Sequence, residues 1–184
     1  MRLSGGGSRL SASRECPDVA LAIFMGHGWS ALDGKGRFAL PAAFRNPLQQ
    51  QCSNHGSMLV RAIYGRDYLT LFGDLQAPEF LAKFEEKERI ALAQGGDFDD
   101  ETSAADFWSG IQALSIDAGG RFALPAFHAS HAGITDSIFI VGAGTQIQLW
   151  DLDRLKASAP RNPIVAAALE QALAERDARR GGKA

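Results

Sequence analysis

Two arginines occupy matching places in this chain, Arg37 and Arg121, each four residues after an aspartate, Asp33 or Asp117. A guanidinium is a planar, permanently charged fork suited to two-point contact with a phosphate or with the O6 and N7 edge of guanine. Lys35 adds a cation inside the first unit, and Arg45 follows shortly after it. The aspartates offer different chemistry. No partnered acid, histidine or metal constellation accompanies both copies, so Asp33 and Asp117 read as turn formers that bind backbone amides of their own loops, not as catalytic carboxylates. Pairing of each arginine with its own aspartate, simply to hold the turn, is the competing structural role.

The remaining chemical candidates are weaker. His128 and His131 lie three apart on a short helix, with no cysteine nearby and no counterpart in the first copy, so an exposed helix face is expected there in preference to a metal site. Gly142-Ala143-Gly144 fits a hairpin turn better than a dinucleotide loop, because position 147 is isoleucine and no long helix opens after it. Ser109 and Ser115 have no evident base. The sequence therefore points away from an enzyme and calls for neither cofactor nor metal.

What positions the two arginines is a duplicated unit. Residues 33–42 and 117–126 are identical at eight of ten positions, at an offset of 84 residues, a density that chance does not explain. Each copy begins with a short strand, Trp29 to Leu32 or Leu114 to Ile116, that ends at the aspartate. Gly36 and Gly120 then supply the positive φ that a tight turn requires. Phe-Ala-Leu continues as a second strand, and Pro41 or Pro125 suits the first position of a short helix, Pro41 to Asn46 or Pro125 to His131. A hairpin is expected after each helix, Met58 to Ile63 with Tyr68 to Phe72, and Ser137 to Val141 with Gln146 to Trp150. Pro78 to Ala93 has helical apolar spacing, Asp151 can cap a turn through Leu155, and Ile164 to Arg180 reads as a helix lying on the body or on a neighbouring subunit.

These elements divide the chain into a flexible extension (1–23), a first repeat with its helix (24–93), an acidic linker (94–106), a second repeat (107–157) and a C-terminal helix and tail (158–184). Gly5-Gly6-Gly7-Ser8 marks the extension, and Met25 reads as an alternative start. Apolar residues at 46% and charged residues at 22% indicate a globular protein, and no apolar run is long enough to span a bilayer. Cys16 and Cys52 are isolated, which fits a reducing, cytoplasmic compartment. The net charge of -2 hides a segregation: +3 over residues 24–73 and -7 over residues 74–106.

At Asp33-x-Lys35-Gly36-Arg37 with Leu40-Pro41-x-x-Phe44-Arg45, and again at Asp117-x-x-Gly120-Arg121 with Leu124-Pro125, the chain resembles the MraZ family of AbrB-like, swapped-hairpin transcription factors. The likeness covers about Phe24 to Lys156, including the lead-ins Phe24-Met25-Gly26 and Phe107-Trp108-Ser109-Gly110 and the strand end Gln148-Leu149-Trp150-Asp151. It implies a mainly β fold with short helices, in which two half-domains build one swapped-hairpin barrel with peripheral helices. It also implies a bacterial regulator, cytoplasmic and nucleoid-associated, that contacts repeated promoter sites on double-stranded DNA upstream of the division and cell-wall genes, as a ring-shaped homo-oligomer. The DNA-contacting residues carried over are Arg37 and Arg121, with Lys35 and Arg45. A ring would multiply few contacts per chain through effective concentration, which suits a nearly neutral protein.

The second copy departs from the first in having Gly119 where Lys35 stands, and an acidic lead-in from Asp97 to Asp106. On charge, the first loop is the stronger candidate for DNA contact and the second is more open to a structural role. The alternative function is an oligomeric scaffold or protein-binding module whose acidic segment meets a partner.

Overall fold

The computed structural model describes residues 22–53, 57–95 and 100–182. Residues 1–21 with Cys16, Asp97 and Asp99 of the acidic segment, and the last two residues lie outside that set. The first copy consists of β1 (His27–Ala31), β2 (Phe38–Ala39), α1 (Ala42–Gln50), β3 (Ser57–Ala62) and β4 (Tyr68–Gly73), followed by a 3-10 turn, Asp74–Gln76, and α2 (Ala77–Ala93). Helix α3 (Asp100–Ser109) leads into the second copy: β5 (Ile111–Ser115), β6 (Arg121–Phe122), α4 (Ala126–Ala132), β7 (Ser137–Ala143) and β8 (Gln146–Trp150). Helices α5 (Leu152–Ala157) and α6 (Pro163–Gly181) complete the chain.

The two copies exchange strands. Lead strand β1 pairs not with its own hairpin but with β7, Trp29 opposite Phe139, while β5 pairs with β3 of the first copy, Ala113 opposite Leu59. The hairpins meet at the centre through β4 and β8, Leu69 opposite Leu149. The resulting six-stranded antiparallel sheet, ordered β1-β7-β8-β4-β3-β5, has an approximate two-fold relation between copies. Its hydrophobic alternation is plain in β3, where Met58, Val60 and Ala62 face the core, and the swap lets each copy bury what it could not bury alone.

The fold is mainly β with short helices, but the sheet is open and does not close into a barrel. β1 and β5 remain its edges, and β2 pairs only with β6, as a separate two-stranded ribbon. Strands of two residues, each followed within two or three residues by a proline that lacks the ladder donor, are too short to bridge the edges. The ribbon instead places Phe38 and Phe122 together, ring centroids 6.2 Å apart, in a core shared with Phe24, Phe44, Leu48 and Ile140.

Several local expectations change. Pro41 and Pro125 stand one residue earlier than the first helical position, as extended N-cap residues with ψ of 148° and 144°. The fixed φ of proline serves both positions, and the incoming strand selects the extended one. The stretch 94–106, read as a structureless linker, contains helix α3 from Asp100 onward. Ala104 and Ala105 favour helix, and Phe107 closes it against Phe84 at 5.5 Å between centroids, with the Arg61 guanidinium stacked 3.9 Å above the Phe107 ring. The expected exposed histidine face is also corrected. His128 is only 2% exposed, its Nε2 3.0 Å from the Gly110 carbonyl oxygen at the lead-in of β5, and His131 Nε2 lies 3.1 Å from that of Ile63 just after β3 of the first copy, so both histidines bind backbone.

Helix α6 lies on the body. Leu169, Ala172 and Leu173 pack on Phe139, Leu152 and Leu155, a second apolar cluster on the sheet face opposite the one that carries Ile138 and Ile140. Asp151 caps α5 by accepting from the amides of Asp153 and Arg154, and Asn162 caps α6 by accepting from Ile164. Ahead of β1, Phe24 is buried and its amide donates to the Gly144 carbonyl at 2.7 Å. No helix among the described residues is long and apolar enough to cross a membrane.

Candidate nucleic-acid interface

Each Asp-to-Arg loop is closed by the same three backbone-directed contacts. In the first, Asp33 Oδ1 accepts from the amides of Lys35 and Arg37, both at 2.9 Å, and the Asp33 amide donates to the Arg37 carbonyl at 2.8 Å. In the second, Asp117 Oδ1 accepts from Gly119 and Arg121, both at 2.9 Å, and the Asp117 amide donates to the Arg121 carbonyl at 2.9 Å. Gly36 and Gly120 turn the chain at φ +73° and +76°, where an L side chain is strained. Amide donation from Arg37 holds the Asp33 carboxyl below its usual range, and donation from Arg121 does the same for Asp117.

The side chains then diverge. Arg37 Nε and Nη2 donate to Asp33 Oδ2 at 3.1 and 2.9 Å, and Arg37 Nη1 donates to Asp117 Oδ2 at 3.1 Å. One guanidinium thus binds the carboxylates of both copies and joins the loops. Arg121 is exposed, makes no side-chain hydrogen bond or close ion pair among the described residues, and is attracted to Asp117 only at longer range. Lys35 is exposed as well.

Arg45 reaches the second loop from α1. Its Nε donates to the Leu40 carbonyl at 2.8 Å, and its side chain lies so close over Gly120 that an added Cβ there would come within 2.8 Å of Arg45 Cδ. Nothing comparable covers Gly36. The Leu40 amide in turn donates to the Gly120 carbonyl at 2.8 Å, so the two copies are cross-linked by backbone as well as by charge. Arg45 therefore sets a cation beside the loop that lacks a lysine. Four cations, Lys35, Arg37, Arg45 and Arg121, thus belong to or adjoin the two joined loops, whose carboxylates are bound by amides and by Arg37.

Some residues that shape this surface carry no local motif. Gln51 is fully buried and ties distant segments, its Nε2 donating to the Ala22 and Thr145 carbonyls and its Oε1 accepting from the Gly73 amide. Asp136 accepts from Ser137 Oγ at 2.9 Å and from Arg180, and its carbonyl takes the Leu32 amide at 2.7 Å, anchoring the strand end that delivers Asp33. Their signals are long-range pairings between copies, which a single sequence does not display. The described residues include no group of three or more histidine, cysteine, aspartate or glutamate side chains placed to hold a metal ion.

Fold and site together define a duplicated, strand-swapped β protein whose two arginine-bearing loops are fused into one surface. No family model matches the chain. Individual relatives do, each named Transcriptional regulator MraZ. That of Gluconacetobacter diazotrophicus is 30% identical over 133 residues, covering 71% of this chain and 80% of the relative. The protein of Oleidesulfovibrio alaskensis is 33% identical over 142 residues, 73% and 84% of the two chains, and that of Rhodospirillum rubrum 29% over 144 residues, 78% and 89%. The chain belongs to the MraZ family.

Proposed function

We propose that this chain is a DNA-binding transcriptional regulator that uses the joined Asp-to-Arg loops to read repeated sites in promoter DNA. The observation that carries the reading is Arg121: an exposed guanidinium without a hydrogen-bonded partner among the described residues, on a loop whose own carboxylate is already bound by amides and by Arg37. The turn fixes the backbone from which Arg121 projects, and a bidentate contact to guanine is worth about 1–3 kcal/mol of base discrimination. Lys35 and Arg45 add positive charge on either side for backbone phosphates, and Arg37 keeps the two loops in register.

The names of the relatives support transcriptional regulation as the class. The finer reading is ours: control of division and cell-wall genes, through a ring of subunits that places successive loop pairs on successive repeats. Multiplicity would compensate for the small area and near-neutral charge of one chain.

The test is binding of the wild-type chain and of an Arg37→Ala/Arg121→Ala variant to DNA from upstream of its own gene, measured against salt. The expected outcome is protection of closely spaced direct repeats by the wild type, and loss of affinity with a shallower salt dependence in the variant. Unchanged affinity and salt slope in a folded double variant would overturn the reading.

A further inference from the structure

A cleft of about 630 Å³ borders the first loop but has no part in the contacts that join the loops. Leu32 and Asp33 form one wall, and the last turn of α6, with Arg179 and Arg180, forms the other. That turn is fastened at two points to the strand that delivers the loop. The Arg180 Nε donates to Asp136 Oδ2 at 3.1 Å, and Asp136 accepts the Leu32 amide through its carbonyl. Arg179 lies 4.7 Å above the ring of Trp29 in β1, whose indole nitrogen donates to Glu175 Oε2 at 2.9 Å.

Arg180 is thus hydrogen-bonded to a carboxylate, whereas Arg179 has only a longer-range attraction to Glu175, one turn earlier on α6. Its guanidinium is exposed, within salt-bridge distance of no carboxylate among the described residues, and held by the π face of Trp29. A cation on an aromatic face keeps its full charge and its outward hydrogen-bond donors while losing much of its rotational freedom. Like Arg121, it is an exposed guanidinium without a hydrogen-bonded carboxylate among the described residues, but it is steadied by an aromatic face and flanks the first loop. The position is wrong for base reading, because Arg179 sits at a helix end flanking the loop instead of on the loop. It is right for the sugar-phosphate backbone of a duplex seated on the loops.

We infer that Arg179, positioned by Trp29, is a backbone-phosphate contact flanking the first loop, extending the DNA-binding surface onto the C-terminal helix. The inference rests on the DNA-binding reading above. Such a contact adds affinity and salt dependence without sequence information. It also gives α6 a role beyond covering Phe139 and Leu152.

The experiment measures salt-dependent binding of the full chain, as wild type, Arg179→Gln and Arg179→Lys, to a promoter duplex and to a duplex with mismatched sites. Arg179→Gln should reduce the magnitude of the log-log salt slope by about one per bound subunit and weaken matched and mismatched duplexes by the same factor, while Arg179→Lys restores most of the slope. In parallel, methylphosphonate replacement of the phosphates flanking the site should weaken the wild type but have no further effect on Arg179→Gln. An unchanged slope in Arg179→Gln, or an equal methylphosphonate loss in both proteins, overturns this contact while leaving the loops as the DNA surface. Absence of any salt-dependent binding by the wild type overturns the DNA reading and this contact with it.

Discussion

The loops at 33–37 and 117–121 are built on the same residues and close through the same backbone bonds, yet their arginines end in opposite states. Arg37 is held by two carboxylates, its own and that of the other copy, at 2.9 and 3.1 Å. Arg121 holds neither. The glycines differ in the same way, Gly36 facing open space and Gly120 lying under Arg45. Duplication copied the turn, because the turn is encoded locally by Asp, Gly and the amides between them. It did not copy the electrostatics, because those depend on which side chains the other copy brings, and α1 carries Arg45 where the corresponding position of α4 is Ala129.

The sharpest break between the loops should come from their glycines. Gly36→Ala forces an L residue to φ +73° in open space, a cost of about 1–2 kcal/mol. Gly120→Ala adds a collision with the Arg45 side chain to the same backbone strain, for roughly 2–4 kcal/mol in all. Urea unfolding of the two variants measures the difference. Equal destabilisation would show that Arg45 moves aside freely and that the packing of the second loop is not distinctive.

Next in size is a separation of roles between the arginines. Arg121→Ala should weaken promoter binding by roughly 10-fold or more while leaving the melting temperature within about 1 °C, since the exposed side chain has no hydrogen-bonded partner among the described residues and only a longer-range attraction to Asp117 to lose. Arg37→Ala should lower the melting temperature by about 2–4 °C, because both carboxylates lose their shared cation. Binding isotherms and thermal melts on the same samples decide it. If Arg37→Ala leaves stability untouched while Arg121→Ala lowers it, the assignment of bridging and free arginine is reversed.

The backbone of this comparison is legible in the sequence; its asymmetry is not. Eight identities in ten positions mark the doubled turn, and alternation in Met58-Leu59-Val60-Arg61-Ala62 marks a strand with one buried face. Strand exchange is a different matter. Nothing within residues 27–31 says that Trp29 pairs with Phe139 over a hundred residues away, since hydrogen-bonded partners in a sheet are chosen by the whole core. The same limit hid His128. Its local spacing suits an exposed helix face, and only the approach of Gly110 from the lead-in of β5 buries it. Charge counting favours the first loop through Lys35, but counting does not register that Asp33 and Asp117 converge on Arg37 and leave Arg121 free.

Acid titration offers a smaller test. Asp33 and Asp117 both have lowered carboxyl pKa values in the folded chain, mainly from amide donation by Arg37 and Arg121 respectively. The folded state therefore binds fewer protons than the unfolded one, so the stabilisation is fully present above the ordinary carboxylate value near 3.8. It is lost as pH falls from there through the depressed folded values. Asp33→Asn and Asp117→Asn should each flatten the fall in melting temperature across that acid window. Because Arg37 donates side-chain hydrogen bonds to both carboxylates, the two substitutions should be less than additive. Strict additivity would mean that Arg37 does not couple the loops.

The smallest effect concerns the position where the copies differ by charge. Gly119 stands where the first loop has Lys35, and a Cβ placed on it would lie 2.7 Å from Arg121 Nη1 and 3.2 Å from Asp117 Oδ1. The near neighbour is the far end of a flexible, unpaired side chain, so Arg121 can swing away at little cost and stability should change by less than about 0.5 kcal/mol. Gly119→Lys therefore supplies the missing cation to a loop that folds as before. If Gly119 is only a gap in an otherwise equivalent DNA-contacting loop, the variant should steepen the salt dependence of promoter binding by about one unit and raise affinity at low salt. If Gly119 is instead required to keep the Arg121 guanidinium close over the turn, the displaced arginine should lose discrimination between matched and mismatched sites even as total affinity rises. Either change in the salt slope or in discrimination places the second loop on the DNA. A variant that alters neither, with the fold retained, would place contact on the first loop alone and reduce the second to the carboxylate that holds Arg37.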